Sequence, residues 1–393
     1  MEVKEKKNFK GRIIELDFLR GFSILLMFFD HFMYDMAYVM GKVFVSFPGQ
    51  SSFFLWLVNN AQRYWLSDIR FHIRNIVVFI FLCLIGICCS FSRNNLKRGL
   101  KLFIGAMILT GATFVMSLVM QDRDITITFS VLHCAALALF LIGILEKFTK
   151  NKWVYWAISI VMIVFGLIFY KDVSFESYKN SNFFQMLLDQ ILGTKQYGSD
   201  CMPFLLYGGQ VFAGVFIGKL FYDKKESLIT AKNSKLLKTV LFIVVDVVTI
   251  LLSYALGYFV QYNEISLVGF IFALCVATIH VIVFALFNNY KMINDNFEVR
   301  DALKYCAIII LINIVASIVN IFVPGIPHLS LLILAFIALF QLLIIVESRF
   351  TSNKLVTFIG RHSLPMYILH QVVIFLLLAI ILLCSGYKLG GFF

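Results

Sequence analysis

Three side chains within one apolar stretch have the types and spacing for chemistry. In RIIELDFLRGFSILLMFFDHFMYD, residues 12–35, Arg20 and His31 stand eleven residues apart. On a helix they point within roughly 20° of each other and lie roughly 16 Å apart along the axis. Asp35 is one turn beyond His31 and shares its face. A carboxylate that accepts a hydrogen bond from one imidazole nitrogen fixes the tautomer and leaves the other nitrogen as a base. The pattern therefore reads as a base, His31, with an orienting carboxylate, Asp35, and a guanidinium, Arg20, at the far end to hold an anion. Asp30 adjoins His31 in sequence but sits about 100° around the helix, which makes it the weaker orienter. The bland alternatives are a satisfied interior histidine for His31 and an ion pair with Asp17 for Arg20.

Other chemistry-bearing residues lie further along. In ITFSVLHCAALAL, His133 falls at a depth similar to His31, with packing and a second functional role as its two readings. The last apolar stretch opens with FIGRHSLPMYILHQ, where Arg361, His362 and Ser363 stand at its entrance and His370 about two turns deeper. A basic helix entrance ahead of Pro365 offers charge and hydroxyl donors for phosphate, against snorkelling and capping as the structural account. Asp200, at the start of SDCMPFLLYGGQVFAGVFIG, is a carboxylate placed to hold an amino or hydroxyl group of an acceptor. Gly214-x3-Gly218 in the same stretch reads as close helix packing. His72 reads as a solvated loop residue, and His280 and His328 as structural. No P-loop, Rossmann glycine fingerprint or HExxH is present, so nucleotide hydrolysis and zinc chemistry lose support and no metal is expected.

The elements that must position these residues are membrane helices. Sixty-one per cent of the 393 residues are hydrophobic and 14% charged, where a soluble domain has about half and about a quarter. Stretches long enough to cross roughly 30 Å of hydrocarbon appear near 13–38, 75–92, 99–120, 126–145, 153–170, 201–222, 239–261, 265–288, 302–323, 329–347 and 356–384. The expected fold is all-α, a polytopic bundle of about eleven transmembrane helices in one domain, 1–393. With a cytoplasmic N-terminus, 24 of the 34 lysines and arginines fall in inner segments and nine in outer ones, the bias that sets orientation. This also accounts for the net charge of +12, so no nucleic-acid partner is expected. The first stretch carries Asp17 and Arg20 and lacks a small-residue cleavage site, and so reads as a retained span.

Two outer loops, 41–73 and 171–200, are long enough to act. The first holds Trp56, Tyr64 and Trp65, suited to a helix at the membrane surface, and the second could roof a cavity. Most of the eight cysteines lie in apolar runs without metal-like spacing, and no disulfide framework is expected. Ionisable groups along a membrane helix face a bundle interior or a wet cavity and default to function.

Five blocks in order carry a resemblance: RIIELDFLRGFSILLMFFDHFMYD, FIFLCLIGICCSFSRNNLKRGLKLF, ITFSVLHCAALALFL, SDCMPFLLYGGQVFAGVFIGKLF and IGRHSLPMYILHQ. Together they resemble the bacterial relatives of heparan-α-glucosaminide N-acetyltransferase. The Arg20-x10-His31 spacing is also similar to that of the wider acyltransferase-three family. The resemblance implies acyl transfer across a bacterial cell membrane. The donor would be acyl-CoA, usually acetyl-CoA, reached from the cytoplasm. The acceptor would be an extracytoplasmic glycan or amino sugar.

It places CoA phosphates near Arg20, Arg361, His362, Ser363 and His370, the chemistry at His31 with Asp35 and His133, and the acceptor near Asp200 and Tyr207. Where relatives often read D-x-x-P-L-x-P-W, this chain has Leu206 for the second proline and Tyr207 for the tryptophan, which sets its acceptor side apart. The competing expectations are a proton-coupled transporter or glycan exporter using His31, Asp35 and Arg20 as a relay, and a non-catalytic assembly partner. Acceptor identity, N- or O-transfer and a homodimer are left open.

Overall fold

The computed structural model describes residues 13–40, 52–119, 126–170, 174–176, 182–197, 202–222 and 354–384, with positions 307, 308, 311 and 315. Its described elements are α1 (Ile14–Tyr34), a π-helical turn (Asp35–Met40), α2 (Ser52–Trp65), α3 (Asp68–Cys89), α4 (Asn95–Val119), α5 (Val131–Leu145), α6 (Lys152–Tyr170), β1 (Ser174–Glu176), α7 (Phe183–Leu192), β2 (Lys195–Tyr197), α8 (Phe204–Phe221), α9 (Lys354–Arg361) and α10 (Ser363–Cys384). The described residues are mostly helical. The expected spans at 239–261, 265–288 and 329–347 lie outside the described residues, as does that at 302–323 apart from the four isolated positions. So do Asp200, His280 and His328.

Among the described helices, Asn95–Val115 is long and apolar enough to cross a membrane by itself. Lys354–Arg361 and Ser363–Leu378 qualify as a pair bent by 100°, and Val77–Cys89, Val131–Leu145, Lys152–Gly166 and Phe204–Leu220 are shorter apolar helices. The fourth expected span, 126–145, starts later than its hydropathy indicates. Ser130 is extended and its hydroxyl accepts from Leu132 N–H, so the helix begins at Val131. A hydroxyl that takes an orphan N–H ends the helix where hydropathy alone would extend it. Polar caps set other starts in the same way: Asn94 accepts from Lys97 N–H, Asn151 from Trp153 N–H and Asn182 from Phe184 N–H.

The backbone falls into two compact units, one of Arg20–Gly86, Arg93–Gly214 and Phe358–Phe393, the other of Met1–Leu19, Ile87–Ser92 and Val215–Thr357. In the first, α4 and α5 form an antiparallel hairpin in which Gly99 meets Ala136 and Leu139, and Gly143 meets Leu96. Helices α6 and α8 are also antiparallel: Gly166 lies against Leu206, Ser159 donates to Gly209 O at 2.8 Å, and Tyr155 stacks on Phe212. Cys83 of α3 donates to Gln210 O of α8 and its carbonyl faces Gly214. Helices α1 and α10 run parallel, since Met36 and Ala37 pack with Ile374 and Leu378 beyond the level at which His31 meets His370. Phe54, Val58 and Ala61 of α2 complete that cluster. In the second unit, Ser90 donates to Val215 O at 3.3 Å and Gly218 lies against Ile87.

The stretch expected to roof a cavity, 171–200, contains a small ordered cap. β1 pairs in parallel with β2, and α7 ends at Gly193, whose φ of 88° is the left-handed conformation that glycine adopts without a side-chain penalty. Burial works to raise the pKa of Asp189. Hydrogen bonds from Thr194 (2.6 Å), Tyr197 (2.7 Å) and Gln185 (3.1 Å) outweigh it and hold the carboxyl below its ordinary range. Thr128 ties the 126–130 segment to this cap by donating to Tyr197 O at 2.9 Å.

Two outcomes follow from these contacts. A Cβ on Gly214 would sit 2.1 Å from the Cys83 carbonyl oxygen, so Gly214→Ala lowers stability by about 1–3 kcal/mol in thermal unfolding of the purified protein. A carboxyl whose folded pKa is depressed stabilises above its unfolded pKa, and that contribution is lost as pH falls through the folded value. Asp189→Asn therefore opens the 182–197 cap to limited proteolysis at pH 7. The difference from wild type disappears when both are compared below the ordinary carboxylate range.

Candidate active site

The site is built where apolar helices carry polar side chains that need partners. Along α1 those residues meet α9 and α10 at three levels. Arg20 Nη1 donates to Gly360 O, at the end of α9, at 3.5 Å. The His31 ring lies 4.9 Å from that of His370, centroid to centroid, and Gln371 Nε2 donates to Asp35 Oδ2 at 3.0 Å. The sequence expectation put His370 with the donor-phosphate group. The structure places it beside His31, because α10 runs parallel to α1 and reaches the level of that residue two turns past Ser363.

Asp35 is displaced from its expected partner. The rule that residues four apart share a face holds for α-helix, and the helix changes to π geometry at Asp35, where the register shifts. Its carboxylate accepts from Gln371 rather than orienting His31. The Ala37 carbonyl in the π turn accepts from Gln62 of α2 at 3.2 Å.

Asp30 is held from the other side. Arg70 Nε and Nη2 donate to its two carboxylate oxygens, each at 2.8 Å, and Tyr64 donates to Oδ1 at 3.2 Å. The Arg70 guanidinium carbon stands 3.3 Å from the centroid of Trp65. The fork geometry and the ring face both suit arginine. Burial, with the Asp30 carboxylate beside it, pushes the Tyr64 phenol up to about 12, so it remains a donor across the physiological range. Trp65 also packs on Tyr34 (4.6 Å) and Tyr38 (6.1 Å).

His133 is buried elsewhere, at the start of α5. The Ser130 N–H can only donate, and it lies 3.2 Å from Nδ1, so that nitrogen is an acceptor and the ring proton of the neutral form sits on Nε2. Nε2 lies 3.2 Å from Thr110 Oγ1, which donates in turn to Ile127 O at 2.8 Å. Both nitrogens are thus taken by a capping arrangement that starts the helix. This gives His133 a structural account and leaves no free lone pair for a base.

Arg361, His362 and Ser363 lie at the 100° break between α9 and α10, beside the Gly360 carbonyl that Arg20 reaches. Arg361 and His362 are exposed, and the His362 ring packs on Phe358 with Nδ1 2.9 Å from Phe358 O. Tyr207 is half-buried on the first turn of α8, its N–H bonded to Pro203 O. Sequence reasoning passed over Gln371 and Arg70. A glutamine directly after His370 in an otherwise apolar run was the available signal for the first. Arg70 falls within the expected outer loop 41–73, whereas it is 7% exposed within α3. No group of histidine, cysteine, aspartate or glutamate side chains among the described residues could hold a metal ion.

The described residues are mostly helical, and polar side chains of their first helix meet those of the last. Residues 12–256 match the family model described as heparan-alpha-glucosaminide N-acetyltransferase, catalytic. That is more than half of the chain, which therefore belongs to this acetyltransferase family. No curated protein and no solved structure matches it.

The clamp on Asp30 can be measured. Arg70→Gln lowers thermal stability by about 2–4 kcal/mol, because it strands a mostly buried carboxylate. Arg70→Lys recovers only part of that loss, since a point charge cannot make both bonds.

Proposed function

We propose that the protein is a membrane acyltransferase that moves an acetyl group from cytoplasmic acetyl-CoA to an extracytoplasmic sugar-like acceptor, with His31 at the centre of the chemistry. The observation that carries this reading is the joining of the α9–α10 break and His31 along one pair of parallel helices. Arg20 touches the break, and His31 stands eleven residues, roughly 16 Å, along α1. A CoA molecule has its phosphates at one end and its thioester at the other. Arg20, Arg361, His362 and Ser363 supply cationic and hydroxyl donors for the phosphates, and a pantetheine arm spans the distance to His31.

The donor binds with its thioester carbonyl beside His31. The imidazole takes the proton from the acceptor's attacking amine or hydroxyl as the new bond to the carbonyl carbon forms. The tetrahedral intermediate then collapses, the carbon–sulfur bond breaks, and the imidazolium returns its proton to the CoA thiolate. The carbonyl of Tyr367 faces Nδ1 of His370. A carbonyl only accepts, so that nitrogen carries the proton and the ring is fixed against His31. An acyl-histidine intermediate is the variant in which His31 itself attacks the thioester.

The membrane reading is supported by helix directions as far as an odd number of spans, and the N-terminus inside by the lysine and arginine bias. Antiparallel α4–α5 and α6–α8 and parallel α1–α10 are what alternating crossings give when the first and last spans run the same way. A bent helix pair and buried ionisable groups also occur in transporters, and membership of an acetyltransferase family favours the enzyme.

The test uses the full-length protein in nanodiscs with acetyl-CoA and D-glucosamine. His31→Ala slows acetyl transfer by at least about a hundredfold with the folded state retained, and Arg20→Ala acts mainly by raising KM for acetyl-CoA. Undiminished turnover in folded His31→Ala removes His31 from this role. Proton-driven uptake into liposomes without CoA would identify a transporter instead.

A further inference from the structure

We propose that Arg74, on α3, is a catalytic residue whose guanidinium holds the oxyanion formed when the thioester carbonyl is attacked beside His31. This role rests on the acyl-transfer reading. Three residues of α3, Arg70, Arg74 and Phe81, fall within roughly 40° of one another around the helix. The outer two are fixed by contacts. Arg70 bonds Asp30 of α1, the residue before His31, and Phe81 stacks on Tyr367 of α10, with ring centroids 6.1 Å apart. Tyr367 in turn packs on His370 at 5.4 Å, and His370 on His31 at 4.9 Å. The face of α3 between Arg70 and Phe81 is therefore turned toward the two imidazoles, and Arg74 stands on it.

The two arginines of that face differ in what already holds them. Arg70 is clamped by Asp30, whereas no carboxylate among the described residues pairs with Arg74, whose side chain is exposed. Arg74 is also close enough to His31 for the two to interact electrostatically. Snorkelling explains a cation this near the start of α3. It gives no reason for that cation to share the face of Arg70 and Phe81 and to act on His31.

The charges that move in the reaction explain a cation beside a base. As the acceptor's nitrogen or oxygen bonds to the carbonyl carbon, its proton passes to His31 and the carbonyl π pair moves onto oxygen. An imidazolium and an oxyanion thus form together. Guanidinium and imidazolium alone repel each other, and an oxyanion attracts both. Arg74 therefore does little for the bound thioester, whose oxygen carries only partial charge, and most for the tetrahedral intermediate, which is the difference that lowers a barrier. When the carbon–sulfur bond breaks, the oxyanion's electron pair re-forms the carbonyl and the imidazolium proton goes to the CoA thiolate.

The experiment follows release of the CoA thiol from acetyl-CoA by the full-length protein in nanodiscs, with D-glucosamine or water as the nucleophile. Arg74→Gln lowers kcat by about a hundredfold, with KM for acetyl-CoA and for glucosamine each within about threefold of wild type. Arg74→Lys, which keeps the charge but not the fork, recovers part of the loss. An unchanged kcat in folded Arg74→Gln overturns the proposal. So does a loss carried entirely by KM, which would make Arg74 a group that binds the ground state. If Arg74→Gln does not fold, Arg74→Lys decides: a fall in kcat at constant KM upholds the role, and wild-type kcat or a change in KM alone overturns it. No CoA release by the wild type with either nucleophile discards the acyl-transfer reading and this role with it, whereas normal turnover by Arg74→Gln discards the role alone.

Discussion

The rest of the structure depends on one constraint: polar side chains on an apolar helix must find partners, because lipid supplies none. Helix α1 carries Asp17, Arg20, Asp30 and His31, with Asp35 opening the π turn that continues it. Arg20, His31, Asp35 and Asp30 find neighbours on α9, α10 or α3. The partnering is ordered along the chain. Gly360, His370 and Gln371 are met in sequence by Arg20, His31 and Asp35, which keeps α1 and α10 parallel and in a fixed register. The apolar cluster of Met36, Ala37, Ile374 and Leu378 closes that pairing, and the exposed apolar residues on the outer faces of α4 and α10 are what a bilayer would cover.

The π turn is what gives this pairing its two separate polar levels. Continued α geometry would set Asp35 on the face of His31 and tie the two together. The change of register at Asp35 lets the carboxylate meet Gln371 and leaves His31 to the imidazole of His370. A π segment costs backbone hydrogen-bond geometry and is found mostly at functional sites. Here Gln62 satisfies the Ala37 carbonyl, so α2 stabilises the distortion while its apolar face, Phe54, Val58 and Ala61, packs against the same turn.

Much of the fold was legible because hydropathy and charge are summed over long stretches. The helices at 95–119, 152–170 and 204–221 sit close to the expected 99–120, 153–170 and 201–222. Boundaries failed where a single side chain decides them, as Ser130 does for α5. At the site, helical spacing was enough to align Arg20 with His31 on one helix. It could not reveal which distant helix lies alongside, so His370 was assigned to the phosphate end and Gln371 was missed. Spacing put Asp35 on the face of His31, since spacing rules carry no information about a local π register. Arg70 was hidden because a positive charge near a span end usually reads as solvated, and only the tertiary position of Asp30 explains its burial.

The three described histidines with interior positions differ in how much of each ring is already committed. His133 has Nδ1 taken by a backbone donor and Nε2 by Thr110, whose own proton goes to a carbonyl. Moving a proton there would require unmaking the start of α5. His370 has Nδ1 against a carbonyl, which fixes one nitrogen and orients the ring. For His31, no hydrogen bond exists to either nitrogen among the described residues; its contact is the face of His370. A base must have a lone pair that the folded chain does not use, while its ring must still be held in place. Packing against an oriented neighbour supplies the second for His31 without consuming the first, and His370, engaged through Nδ1, keeps the lone pair of Nε2 as well.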